Sequence, residues 1–246
     1  MGRIFTFEIG GIIISLYIEK RYENINKNRI IYCPLCHSVE TKLIYIGNKR
    51  DNNRFYYHCN NCDLIFVEKW QQLYSKEELD RYKEHDNDVY DLGYRSFLNK
   101  IVEEVVPLIN KEKLGLDFGA GPGPALALMM KERGFNMDIY DPYFHRDNNL
   151  LSKKYDFVIA TEVVEHFSNP FIEFTKLNKL INNNGYLAIM TKLYKNSDDF
   201  KNWYYKNDFT HISFYSKKTM KWIADKFQYR VEFPKKNIII FKKLRR

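Results

Sequence analysis

Two groups of residues in this chain have types and spacings that could do chemistry. Cys33-Pro34-Leu35-Cys36 and Cys59-Asn60-Asn61-Cys62 hold all four cysteines, set as two CxxC pairs. Each pair bends the backbone into a knuckle whose thiolates point at one centre, so together they supply the four soft ligands of a closed tetrahedral zinc site. A redox role would need only one CxxC, and neither pair lies near a βαβ unit. With Cys33, Cys36, Cys59 and Cys62 all as ligands, no coordination position stays open for catalysis, so this metal would hold structure or present a surface. His37 and His58 adjoin the knuckles but are surplus to them. The second group lies in Leu114–Pro124, LGLDFGAGPGP. An apolar run ends in Asp117, and Gly119, Gly121 and Gly123 follow at alternate positions. Glycine tolerates positive φ and lets backbone approach a ligand closely. Ala125–Arg133 has the composition of a helix, so the unit reads as strand, turn, helix, the opening of a nucleotide-binding α/β sheet. The dinucleotide pattern G-x-G-x-x-G/A fails at Pro124. Asp117 is poor company for a pyrophosphate and good company for a cation.

Further elements must hold these groups. Asn136–Asp141 alternates apolar and polar residues as a second strand would. It ends in Asp141, 20 residues beyond Gly121, where nucleotide-binding α/β folds place an acid for ribose hydroxyls. Pro142, Tyr143 and Phe144 follow and could wall an adenine. Lys154–Thr161 and Gly185–Thr191 read as later strands. Arg146–Lys154 leaves little room for a strand and its helix, so one strand of the usual order is missing or reduced. Phe171–Ile181 has helical spacing, Ser216 can cap a helix over Lys217–Phe227, and Tyr229–Phe233 with Asn237–Lys242 form a terminal antiparallel pair. Between and after the cysteine knuckles, Lys42–Gly47, Arg54–His58 and Leu64–Val67 read as a small ribbon. Ser75-x-x-Glu78 is a capping box opening a helix to about Glu84. Tyr94–Leu108 is a second helix, ending near Pro107.

The pattern D-x-G-x-G-x-G at Asp117–Gly123 resembles motif I of the class I S-adenosylmethionine-dependent methyltransferases, whose donor carries an ammonium and a sulfonium and no phosphate. Asp156, Val158, Val164, Glu165 and His166 resemble the fourth-strand pattern of that family, and Gly185–Thr191 its fifth strand. The resemblance implies a Rossmann-like seven-stranded-type sheet. It implies that Asp117 and the Gly119-Ala120-Gly121 backbone hold the methionine part of the donor, that Asp141 takes the ribose beside Pro142, and that Thr161 and Glu162 lie near the methyl group. In similar enzymes the segment before motif I folds over the cofactor, with Tyr82, His85, Tyr90 and Tyr94 as the contact candidates here. Trp203 to Ser216 resembles the W-x-Y-x-x-D-x-T-H-x-x-F-Y-S segment of zinc-ribbon methyltransferases with small-molecule pockets. A hydroxyl or acidic carbon acceptor needs a base. His166 and His211 are the first candidates, then Asp208 and Tyr204. Alternatively, His166 caps the helix that follows and His211 is a buried partner of Asp208.

At 246 residues the chain has room for a large domain and a small one. The expected division is an N-terminal extension over 1–28, the zinc ribbon over 29–70, a helical connector or lid over 71–110, and the methyltransferase domain over 111–246. Ile4–Ile18 is apolar but shorter than the roughly 20 residues of a membrane span. The paired cysteines suit a reducing, cytoplasmic compartment. The net charge of +8 permits RNA as a partner, but the basic residues are dispersed. The expected acceptor is a small molecule. One alternative is an RNA methyltransferase that grips nucleic acid with its ribbon; the other is a non-catalytic zinc-ribbon binding protein.

Overall fold

The computed structural model describes residues 29–73, 77, 79 and 88–245. The N-terminal extension, the capping box at Ser75, and the lid candidates Tyr82 and His85 lie outside the described residues.

The chain first builds the ribbon from Thr41–Ile46 (β1), Phe55–Cys59 (β2) and Ile65–Val67 (β3), all antiparallel. Two knuckles of matching geometry flank it. His37 N–H donates to Cys33 O at 3.0 Å, and Asp63 N–H donates to Cys59 O at 2.9 Å. In both, the residue after the second cysteine is left-handed: His37 at φ 59° and Asp63 at φ 64°. This reversal lets Cys33 and Cys59 reach forward again, Cys33 N–H to Ser38 O and Cys59 N–H to Leu64 O.

After Asp91 caps its first turn through Tyr94 N–H, Leu92–Val105 forms α1. It ends in a 3-10 turn containing Pro107, whose missing N–H cannot extend an α-helix. Then come Leu114–Phe118 (β4), Ala125–Glu132 (α2), Asn136–Tyr140 (β5), Tyr155–Thr161 (β6), Pro170–Leu180 (α3) and Ile181–Met190 (β7). Short elements follow, Ser197–Lys201 (α4) and Ser213–Phe214 (β8). The chain closes with Lys217–Phe227 (α5), Tyr229–Lys235 (β9) and Ile238–Lys243 (β10). Ser216 caps α5 by accepting from Thr219 N–H at 3.1 Å.

The large sheet runs β5-β4-β6-β7-β10-β9. The first four strands are parallel, and β10 is antiparallel to both neighbours. Among the described residues the sheet thus has six strands, the seven-stranded type less one strand, in keeping with the missing or reduced strand expected at Arg146–Lys154. The fourteen residues from Asp141 to Lys154 hold a bridge between Asp141 and His145 and a 3-10 turn over Asn148–Ser152. A parallel crossover needs a dozen or more residues before the strand itself is counted, so β5 is left as the edge.

Helices cover both faces of the parallel part, so its strands are apolar on both sides. Phe157 and Ile159 of β6 pack with α1 and α2, while Val158 joins the opposite layer with α3 and α5. That second layer continues without a break into Cys33, Cys59 and Cys62. The ribbon is joined through hydrogen bonds as well. β8, from the stretch after β7, is the fourth strand of the ribbon sheet, with Ile65 opposite Phe214 and Phe66 opposite Ser213.

Candidate functional site

A cavity of about 690 Å³ opens at the carboxyl ends of β4, β5 and β6. This is where an open α/β sheet leaves a crevice between helices on opposite faces. One end is made of backbone. Gly119 and Gly121 adopt φ of 79° and 66°. A side chain at Gly119 would also put its Cβ 2.5 Å from Val163 Cγ2. The turn is held by Gly119 N–H donating to Tyr140 O at 2.8 Å. Asp141 binds it from the next strand, Oδ2 accepting from Gly121 N–H at 2.9 Å. Its Oδ1 accepts from Tyr143 N–H at 2.8 Å and Phe144 N–H at 3.1 Å. The carboxylate thus fixes the glycine turn and the aromatic pair together.

Of the donor-side candidates, Gly119, Ala120, Gly121, Asp141, Pro142, Thr161 and Glu162 line the cavity. Asp117 does not. It is 1% exposed, behind the lining, with Oδ2 accepting from Ala127 N–H at 3.2 Å in the first turn of α2. Burial pushes its carboxyl up to about 7, the Ala127 N–H opposes this, and the charge of Asp141 adds to it. Tyr143, Phe144 and Tyr94 line the cavity, whereas Tyr90 stands exposed away from it.

The other end is made of titratable side chains. Glu162 follows β6 with φ 52°, a left-handed conformation that costs a non-glycine residue energy and commonly marks functional positions. Its Oε2 accepts from Tyr205 Oη at 3.1 Å, and its buried Oε1 has no hydrogen-bond partner among the described residues. Burial, then the charge of Glu165, pushes Glu162 up to about 8. Glu165 is fully buried and raised to about 7 by burial. Thr191 Oγ1 donates to it at 3.0 Å, and the Tyr205 hydroxyl reaches it as well.

His166, His211 and Asp208 line this end. His166 Nδ1 is 3.0 Å from Thr210 O, and His211 Nδ1 is 2.7 Å from Tyr205 O. Carbonyls only accept, so both Nδ1 atoms are donors. The rings meet edge to face, centroids 4.9 Å apart. Burial, then the charge of His166, takes His211 down to about 3, so this ring is neutral. Asp208 is held low although burial opposes it, because the Thr210 hydroxyl at 2.7 Å and Thr210 N–H at 3.0 Å both donate to it. Of the alternatives for the histidines, His211 is buried beside Asp208, its backbone N–H donating to Asp208 O at 3.2 Å, while the helix-cap role falls to another residue. Asn169, not His166, caps α3 through Ile172 N–H at 3.1 Å.

Tyr204, also a candidate base, lies off the cavity at 63% exposure, its hydroxyl against Lys192. Its neighbour Tyr205 faces inward instead. Tyr205 was not among the sequence candidates, and neither was Arg54. Arg54 belongs to the ribbon and is 1% exposed. Its guanidinium donates to the carbonyls of Asp208 at 3.1 Å, Phe209 at 3.0 Å and His211 at 3.0 Å, and also to Lys206 O. Asp51 pairs with buried Lys206 at 2.9 Å. The segment carrying Asp208 and His211 is therefore clamped by the ribbon. No local sequence signal could have found this, since the partners lie more than 150 residues apart.

The four cysteine Sγ atoms lie within 4.8 Å of one another, with Cys33 to Cys62 at 3.5 Å and Cys36 to Cys59 at 3.4 Å. A tetrahedron with Zn–S bonds of about 2.3 Å has edges of about 3.8 Å, so the donor set fits such an ion.

A glycine turn under a crevice, an acid on the adjoining strand tip and Tyr94, Phe97 and Leu98 of α1 along the cavity wall give the ligand-binding layout of an open α/β sheet. Residues 90–232 match the methyltransferase domain family, more than half of the chain, and the chain belongs to that family. It is an enzyme of the class I S-adenosylmethionine-dependent methyltransferase type. No curated protein matches the sequence. Among solved structures, it is similar to magnesium protoporphyrin IX methyltransferase from Synechocystis PCC 6803 with bound SAH. That match has 15% identity over 68% of this chain and 94% of that one, with a TM-score of 0.49. It is similar to human N-acetylserotonin methyltransferase in complex with SAM at 13% identity, over 58% and 51% of the two chains, with a TM-score of 0.44. A methyltransferase from Methanosarcina mazei matches at 11% identity, over 58% and 98%, with a TM-score of 0.45.

Proposed function

We propose that the chain transfers a methyl group from S-adenosylmethionine to a small-molecule acceptor. The observation that carries this reading is that one cavity joins a backbone-built nucleoside end to an end crowded with buried proton-accepting groups. When bound, the donor supplies an electrophilic methyl group on a sulfonium, open to in-line displacement. The residues of the chain align and discriminate. Asp141, already oriented by three backbone N–H groups, presents its remaining lone pairs to ribose hydroxyls. Gly119–Gly121 let the donor approach the backbone, and Pro142, Tyr143 and Phe144 flank the base. Asp117 acts from behind the wall as a negative charge that favours a cationic ligand. Glu162, His166, His211 and Asp208 surround the acceptor and receive its proton.

Structural zinc at Cys33, Cys36, Cys59 and Cys62 is part of this proposal. It locks both knuckles and, through β8 and Arg54, the acceptor segment. Two basic side chains of this clamp, Arg54 and Lys206, are spent inside the protein at 1% and 4% exposure. This favours a small acceptor over RNA gripped by the ribbon.

Calorimetry tests the reading directly. S-adenosylmethionine should bind the wild-type chain, and Asp141→Ala should weaken it by about 3 kcal/mol, on the order of a hundredfold, as expected for lost hydrogen bonds to a charged group. Donor affinity that survives this substitution would sink the assignment. Labelled-methyl transfer in a cell extract, separated into RNA, protein and small-molecule fractions, then identifies the acceptor class; label confined to RNA would overturn the small-molecule reading.

A further inference from the structure

We propose that Glu165, buried behind the acceptor end of the cavity, and His166 and His211, which line that end, together bind a divalent transition-metal ion. One donor atom from each lies within 4.8 Å of the others. The two imidazoles are set as ligands need to be. Each spends Nδ1–H on a backbone carbonyl, Thr210 O for His166 and Tyr205 O for His211. That fixes ring orientation and tautomer, so in each neutral ring Nε2 is the nitrogen that carries the lone pair. Glu165 has matching support, with the Thr191 hydroxyl donating to its carboxylate and the Tyr205 hydroxyl, shared with Glu162, in contact with it. Hydrogen-bonded carboxylates and carbonyl-anchored histidines are the usual outer partners of a metal site.

Charge supports the same conclusion. Glu162 and Glu165 share the Tyr205 hydroxyl, and both are largely shielded from water. Buried carboxylates are costly to charge, and a divalent ion beside them offsets that cost. Two imidazoles and one carboxylate suit Mn, Fe, Co or Zn better than Mg or Ca, and leave open positions on the cation.

This inference rests on the methyltransferase reading and narrows it. A cation here lowers the pKa of a hydroxyl that binds it, so the acceptor class is an oxygen nucleophile with a second oxygen beside it, such as a vicinal diol or a hydroxy-carbonyl compound. The acceptor O–H gives its proton to Glu162. The O–C bond forms as the C–S bond breaks, and the bonding pair leaves with sulfur. His166 and His211 are then ligands, and Glu162 is the base.

Manganese is the probe. Mn²⁺ titrated into the zinc-loaded chain and followed by electron paramagnetic resonance should bind at one equivalent. His166→Asn, His211→Gln and Glu165→Gln should each weaken it at least about tenfold. Each variant should still bind S-adenosylmethionine by calorimetry, which shows that the fold and the donor end persist. Crystals of the wild-type chain soaked in MnCl₂ should show anomalous density among these three side chains. Absence of Mn²⁺ binding, affinity unchanged in all three variants, or density only elsewhere would each overturn the proposal. Retained donor binding in that event would leave the methyltransferase reading intact.

Discussion

The two ends of the cavity are built by different means. The donor end is local. Its glycine turn, Asp141 and the aromatic pair lie within Gly119–Phe144, and backbone hydrogen bonds of that segment set their geometry. The acceptor end is assembled from afar. Glu162 to His166 come from the end of β6, Thr191 follows β7, Tyr205 to His211 come from the clamped segment, and Arg54 arrives from the ribbon. A self-contained turn can serve any enzyme that uses the same donor. A composite of distant segments can be changed piece by piece to suit an acceptor.

The largest effect should come from Arg54→Met. It strands several buried carbonyls and removes a charge balanced by them, at a cost of about 3–5 kcal/mol of folding stability in denaturant titrations. In the folded fraction, turnover should fall while donor affinity by calorimetry stays within about twofold. Equal loss at both ends would break the contrast drawn above.

A smaller effect should separate Tyr205 from Tyr204. Tyr205→Phe removes the hydroxyl shared by Glu162 and Glu165 and should lower turnover on the order of tenfold or more, the lower range for a single polar contact to a charged group. Tyr204→Phe should change turnover by less than about twofold, in line with exposed surface substitutions. The reverse ranking would mean that the segment turns over when ligand binds.

The gentlest test is pH. Asp117 stands at about 7 in the free protein, because burial disfavours its charge. A cationic donor favours the ionised form, so binding below pH 7 must expel a proton. Donor affinity should then rise with pH between about 5 and 7, by at most about tenfold per unit, and level off above that. Asp117→Asn should flatten the profile. A slope of the same size in that variant would assign the proton to another group.

This division also explains what could be read in the sequence. The glycine turn, Asp141 and the knuckles were legible because each is a short-range pattern with a backbone reason: positive φ at Gly119 and Gly121, and a reversal after each CxxC. The six-strand count was half legible, since Arg146–Lys154 was visibly too short for a strand and helix. Tyr204 and Tyr205 are adjacent and alike, and only the 3-10 turn over Tyr204–Asn207 decides which ring faces in. Arg54 reads as an ordinary basic residue at the start of a strand. Its partners are main-chain carbonyls, which have no side-chain identity for a pattern to find.

Because β8 closes the ribbon sheet, the ribbon cannot be treated as a detachable head. A chain begun after Val67 would leave Ser213 and Phe214 as a bare edge and the carbonyls around His211 without their guanidinium. For protein engineering this sets the unit of exchange: anyone grafting this acceptor pocket onto another methyltransferase would have to carry the cysteine knuckles along with it.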